Sequence, residues 1–236
     1  MEFPDPLIPG RLIKRYKRFL ADIELEGGEI VTAHCANSGS MLNVKEPGSE
    51  VWLSPARNPD RKLRFTWELI KINDTLVGIN TALPNTIVEE AIVAGKIPEL
   101  KGYASLRREV KYGKNSRIDI LLEDPFLPKC HVEVKNVTLK RGLGENNLVE
   151  FPDSVTTRGA KHLAELSNMI AQGYRSVMLY LVQRQDSGAF TIAADIDPAY
   201  KAALDNAINT GVEILCYQCT IDTKKIEVSK SLKLLI

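Results

Sequence analysis

Cys130-His131-Val132-Glu133-Val134-Lys135 is the stretch on which the fold and the chemistry of this 236-residue chain turn. Side chains alternate faces along a strand, so Glu133 and Lys135 leave the same face while Val132 and Val134 leave the other. Fourteen positions upstream of Glu133, Asp119 sits in a second aliphatic run, Ser116-Arg117-Ile118-Asp119-Ile120-Leu121-Leu122. The turn-rich segment Glu123-Asp124-Pro125-Phe126-Leu127-Pro128-Lys129 joins the two, which predicts an antiparallel hairpin. Such a hairpin brings two carboxylates and an ammonium to one point. Paired carboxylates suit a hard cation such as Mg²⁺, and a neighbouring lysine holds a phosphate or orients a water. Glu-x-Lys also occurs at Glu99/Lys101 and Glu109/Lys111, but only the third copy is interleaved with valines. An acid among Ile118, Ile120, Leu121 and Leu122 has to be paired or to bind a metal to offset its desolvation. The competing reading is an ordinary ion pair on an edge strand.

Composition narrows the class. The chain is 44% apolar with a formal net charge of +1, so any polyanion would be held by local patches. Its longest apolar run, Val177-Met178-Leu179-Tyr180-Leu181-Val182, is far too short to span a bilayer, and Met1-Glu2-Phe3-Pro4-Asp5-Pro6 lacks the pattern of a secretory signal. The expectation is a cytoplasmic protein with no membrane partner. Cys35, Cys130, Cys216 and Cys219 then read as reduced thiols. Cys216-Tyr217-Gln218-Cys219 falls inside a strand-like run and lacks two further zinc ligands. One local patch stands out: Arg11-Leu12-Ile13-Lys14-Arg15-Tyr16-Lys17-Arg18-Phe19 combines basic residues for phosphates with rings for bases, although an amphipathic strand edge explains it too.

The two halves differ in period. Through residue 81 the runs 19–25, 30–35, 51–54, 65–72 and 76–79 alternate between turn signals, which predicts a five-stranded OB-like barrel. Residues 82–236 read as mixed α/β. Asn85-Thr86 precedes a short helix over 87–95, Phe151-Pro152-Asp153-Ser154 opens a helix to about Gln172, and Asp197-Pro198 opens another that Gly211 closes. In the second helix Arg158, Lys161, His162 and Glu165 share a polar face opposite Leu163, Leu166 and Ile170. Asn37-Ser38-Gly39 reads as a tight turn facing the second domain, with nucleotide contact as its alternative. Trp52 and Trp67 lie in alternating apolar strands and read as core, the alternative being stacking on sugar rings.

Four stretches carry a resemblance: Arg15–Asp22, His34–Met41, Glu109–Gly113 with Ser116–Asp119, and Phe151–Leu163. They are similar to the sugar fermentation stimulation protein family, from nearly the first residue to the last. The resemblance implies an α+β two-domain protein, with an N-terminal OB-like β-barrel (1–81) and a C-terminal α/β domain of the PD-(D/E)xK nuclease class (82–236). It also implies DNA binding and a role in sugar use such as maltose metabolism. The nuclease-class motif carries over to Asp119, Glu133 and Lys135, with Asp119 and Glu133 as ligands of Mg²⁺ or Mn²⁺. A helical acid would be Glu89 or Glu90, of which Glu90 is preferred. Arg158, Lys161 and His162, with Arg15, Lys17 and Arg18 of the barrel, would contact DNA. This chain departs from the family in Ala36, where proline is frequent, and in its long loop Lys140–Asn147. The leading expectation is thus a DNA-binding protein with a metal-dependent phosphodiesterase site. The alternatives are a catalytically silent DNA-binding regulator and, behind it, a sugar-responsive module; a homodimer is admissible in each.

Overall fold

The N-terminal strands close on themselves. The computed structural model describes residues 1–113, 116–142 and 147–236. β1 (Ile8–Tyr16), β2 (Leu20–Leu25), β3 (Ile30–His34), β4 (Glu50–Pro55) and β5 (Phe65–Ile72) form a sheet ordered β3-β2-β1-β4-β5, and a parallel β3–β5 bridge at His34 and Thr66 shuts the ring. Leu12, Ala21, Ile23, Val51, Leu53, Trp67 and Ile70 fill it. A five-stranded OB-like barrel is what the alternating runs predict, but its membership differs. The basic segment supplies the first strand of the ring. β6 (Thr75–Gly78), expected inside the barrel, hangs from the edge of β5 and reaches the second domain, where Gly78 donates its N–H to Gln183. The basic segment escapes periodicity because only Leu12 in it is fully buried.

The second domain is a mixed sheet of order β14-β13-β11-β9-β8-β7. Its strands are β7 (Ser105–Tyr112), β8 (Ser116–Glu123), β9 (Cys130–Val137), β11 (Arg175–Val182), β13 (Glu213–Ile221) and β14 (Ile226–Ser231). A small parallel sheet joins β10 (Leu148–Phe151), β12 (Ala189–Ile192) and β15 (Lys233–Leu234). On one face α1 (Pro84–Val93) buries Ile87, Val88 and Ala91 over Ile120, Val132 and Val134. On the other, α2 (Thr157–Ala171) and α3 (Pro198–Asn209) pack Leu163, Leu166, Tyr200 and Leu204 against Leu121, Met178 and Tyr180. Strands buried on both faces explain the continuous apolar run 177–182.

Helix starts differ from expectation. α1 begins at Pro84, which holds the first-turn position where a missing N–H costs nothing, so Asn85 is helical rather than a cap. α2 begins at Thr157, capped by the Thr156 hydroxyl accepting from Gly159 N at 3.0 Å. Phe151 belongs instead to β10. Asp197 caps α3 as expected, and its other oxygen accepts the Thr156 N–H at 2.7 Å, tying the starts of the two helices together. All four cysteines are buried and free. Trp67 is fully buried, and Trp52 packs half-buried against the second domain's core. Among the described residues no helix is long and apolar enough to cross a membrane. Of the long glycine-containing loop, residues 143–146 lie outside the described residues.

Candidate functional site: a carboxylate pair between the domains

The β8–β9 hairpin forms in the expected register, with Ile120 opposite Val132 and Leu122 opposite Cys130. One step beyond the last pair, Asp119 faces Glu133 and the ladder stops. Asp119 Oδ2 takes the Val134 N–H at 2.8 Å in place of a cross-strand carbonyl. Asn85 donates to Asp119 Oδ1 at 2.9 Å, so the first turn of α1 sets the second carboxylate oxygen.

Glu133 is 2% exposed and lies on the face of β9 that α2 covers. Lys135 Nζ donates to Glu133 Oε1 at 2.7 Å, and His162 Nδ1 contacts the same oxygen. Arg158 Nε donates to His162 Nε2 at 3.3 Å, so Nε2 is the acceptor and the Nδ1 proton is the one directed at Glu133. Among the described residues Glu133 Oε2 has no partner despite being buried. An unpaired carboxylate oxygen at this depth is costly unless something else binds it.

Asp119, Glu133 and Lys135 line one cavity of about 370 Å³. Its walls come from both domains: Asn37, Ser38, Gly39 and Thr81 on the barrel side, and Asn136, Phe151, Asp153, Thr156 and Arg158 opposite. The barrel side is pinned. Arg15 Nη2 donates to the carbonyls of Asn37 and Gly39 at 2.9 and 3.0 Å, and Asn37 Oδ1 accepts the Gly39 N–H at 2.9 Å. Asp153 completes the seam, accepting Met41 N at 2.8 Å on Oδ2 and Ser40 Oγ at 2.6 Å on its carbonyl. Gly39 is required by close approach: a Cβ there would meet Asp153 Oδ2 at 2.8 Å.

The two carboxyls titrate in opposite directions. Burial, then the charge of Glu133, raises Asp119 above its usual range, only partly offset by the Val134 and Asn85 hydrogen bonds. Burial also acts to raise Glu133, but the hydrogen bonds and charges of His162 and Lys135 outweigh it and carry Glu133 below its usual range. Environments that drive paired acids apart are typical of catalytic and ion-binding sites. The donor set fits a divalent cation: hard oxygens, one of them orphaned, with room for waters beside them.

The structure thus brings Asp119, Glu133, Lys135, His162 and Arg158 together. It places the other candidates elsewhere. Glu90 is a correction: it points away from the cavity and pairs with the Met1 ammonium at 2.6 Å, because α1 turns that face toward Met1 and Glu227. Glu89 pairs with Arg108 at 3.2 Å. The site-facing residue of α1 is Asn85, which sequence reasoning missed; Pro84 as a first-turn signal would have placed it inside the helix. His162 is a second correction. It is 5% exposed, packed beneath Glu133 rather than on a solvated face, and Glu165 is buried with it. Lys161 does point outward, 3.6 Å from Glu165. Arg15 and Arg18 spend their guanidiniums on the turn beside the cavity, Arg18 donating to Ser38 O at 3.1 Å, while Lys17 is exposed. Asp153 was missed as well; nothing in its spacing marks a residue that binds the other domain.

Comparison with known proteins agrees with this architecture. A family model described as the SfsA N-terminal OB domain matches residues 13–79, and one described as the sugar fermentation stimulation protein RE domain matches residues 82–225. A sugar fermentation stimulation protein homolog of Rhodospirillum rubrum is 62% identical over 94% of this chain and 94% of its own. A homolog from Rhodospirillum centenum is 58% identical over 99% of both. The solved structure of Pyrococcus furiosus SfsA in complex with Ca²⁺ superposes with a TM-score of 0.89 at 25% identity, covering 100% of this chain and 98% of that one. By its barrel, its second domain and these full-length matches, the chain belongs to the sugar fermentation stimulation protein family.

Proposed function

We propose that this chain is a DNA-binding protein whose interdomain cavity hydrolyses phosphodiester bonds with the help of a divalent cation. The observation that carries the reading is the Oε2 of Glu133, buried and without a partner among the described residues, in the same cavity as the Asp119 carboxylate and the Lys135 ammonium. Asp119 and Glu133 would hold the cation, Mg²⁺ or Mn²⁺ in the cell; the Ca²⁺ complex of the Pyrococcus furiosus relative supports a divalent site in the family. When bound, the cation would supply charge neutralisation at the phosphate and a water activated at neutral pH.

The chain's own groups do the rest. Lys135, held by Glu133 Oε1, presents its ammonium to a phosphate oxygen or an attacking water. His162 fixes the Glu133 rotamer through Nδ1–H, and Arg158 fixes His162 while lying at the mouth, where its free N–H groups meet a neighbouring phosphate. Lys161, Lys17 and Arg18 add positive charge outside.

One observation favours the second reading, a DNA-binding regulator without turnover. Among the described residues no group of three or more His, Cys, Asp or Glu is placed to hold an ion, so the cation would rest on two side chains and water. The relatives' names point to sugar fermentation, and a regulator of sugar use such as maltose metabolism would be this second reading. A sugar-stacking module gains nothing from Trp67, which is fully buried. The test is Asp119→Ala. It abolishes metal-dependent cleavage of DNA while sparing or raising DNA affinity if the site is catalytic; unchanged behaviour in a protein that binds without cutting favours the regulator.

A further inference from the structure

We infer that the cavity takes an unpaired nucleic-acid strand, with a neighbouring base stacked on a ledge made by Phe19 and His34. This rests on the nucleic-acid reading above and narrows its substrate. The deeper acid of the pair sits out of reach of a duplex. Glu133 is 2% exposed, at the bottom of a space of about 370 Å³ that is walled by a second domain. That volume lies at the small end of the ~300–1,000 Å³ of small-molecule pockets. A duplex, whose major groove alone is ~12 Å wide, carries its phosphates on the outside of a rigid cylinder. The barrel wall is not a loose flap, since Arg15 and Asn37 brace its turn from within the barrel, and Ser40 and Met41 bond Asp153 across the seam. A single strand, or a nucleotide turned out of its helix, can pass a phosphate through such a mouth.

The ledge is an independent observation. Phe19 is 45% exposed, and it stacks on His34 at 6.4 Å with an interplanar angle of 24°. The Arg18 guanidinium lies 6.0 Å from the Phe19 ring and donates to Ser38, which lines the cavity rim. Lys17 and Arg18 reach this arrangement through two consecutive left-handed residues, φ 47° and 61°, in a turn that ordinarily uses asparagine or glycine. Strain of that kind persists where a particular presentation is needed. A half-exposed ring beside a guanidinium and next to a cavity lined by acids and a lysine is the equipment of single-strand binding.

The test is fluorescence anisotropy of the full chain in Ca²⁺ with one labelled oligonucleotide as single-stranded DNA, as the matching RNA, and annealed to its complement. The expected result is at least tenfold tighter binding of a single strand than of the duplex. Phe19→Ala should weaken single-strand binding roughly tenfold, and Phe19→Trp should restore it, with Tm unchanged in both. The DNA and RNA arms say which backbone is preferred. Equal or tighter duplex binding, or no effect of Phe19→Ala, overturns the inference. Duplex cleavage that Asp119→Ala abolishes would then leave the nuclease reading standing. Failure to bind any nucleic acid removes both.

Discussion

Replacing Glu133 by Gln separates the cost of the carboxylate to the fold from its value to a cation. In the metal-free protein the change is nearly isosteric. The amide oxygen still accepts from Lys135 and His162, and the amide nitrogen occupies the position of the orphaned Oε2. Losing the charge forfeits charge-assisted bonds of about 1.5–3 kcal/mol and removes a desolvation cost of similar size, so the net should fall within ~1 kcal/mol. With metal the two proteins diverge. A cation at one hundred times its Kd stabilises the wild type by about 2.7 kcal/mol, or roughly 5–11 °C in Tm for a chain of this size. Glu133→Gln aims an N–H donor where a ligand oxygen is needed, and its Tm should move by no more than about 1 °C. Thermal unfolding in EDTA, Mg²⁺, Mn²⁺ and Ca²⁺ reads both effects. The pH dependence follows with its sign. The Asp119 carboxyl titrates above its unfolded value of 3.8, so ionising it costs the metal-free fold, whose stability from this group is highest below 3.8 and declines as the pH climbs through the raised value. Metal should cancel that decline. A wild type insensitive to every divalent cation, or a Glu133→Gln variant stabilised as much as wild type, would refute the reasoning.

Further predictions concern the surroundings. Asn85→Ala strips a donor from Asp119 Oδ1 and should lower cleavage and cation affinity together, whereas Glu90→Ala should leave both unchanged; parallel cleavage time courses and calorimetric titrations decide it. Gly39→Val drives side-chain atoms into Asp153 and should cost about 1–3 kcal/mol by overpacking, visible in denaturant unfolding as a loss of the Ser40 and Met41 contacts between the domains. Asp186 is held at about 2 despite burial, which acts to raise it, because Arg184 and Lys140 surround it. Its stabilisation is complete above its unfolded 3.8 and lost as the pH falls through about 2; with partial exposure discounted, Asp186→Asn should cost roughly 1–2 kcal/mol at pH 7 and flatten acid unfolding in that window.

What could be read from the sequence was whatever local period encodes. Val132 and Val134 alternate with Glu133 and Lys135, so the strand, its faces and the hairpin to Asp119 were all legible. Asp197-Pro198 and Gly211 bounded α3 because caps and breakers act within a few residues. The barrel's first strand was legible only as an alternative to a nucleic-acid patch, an amphipathic strand edge, since Leu12 alone in it is fully buried and the rest is exposed or half-buried. Glu89 and Glu90 could not be ranked against Asn85 because helix phase depends on the first residue, and Pro84 moved it. His162 read as one of a polar, DNA-contacting set because its neighbours Arg158 and Lys161 are charged, while its burial is decided by Glu133 on the strand it packs against. Asp153 and the Asn37–Gly39 turn meet only once the two domains dock. The cavity is a tertiary object, and its acids were visible before its walls.

The central claim is that Asp119, Glu133 and Lys135 form a cation-dependent hydrolytic site. The measurement that reaches it most directly is conversion of supercoiled plasmid and of a labelled single strand by purified protein across a Mg²⁺ and Mn²⁺ titration. Asp119→Ala, Glu133→Gln and Lys135→Gln are run alongside. The account predicts cleavage that rises with metal, stops in EDTA and disappears in all three variants while their folds and nucleic-acid binding persist. Binding without cleavage at every metal concentration, or cleavage that survives the variants, would contradict it.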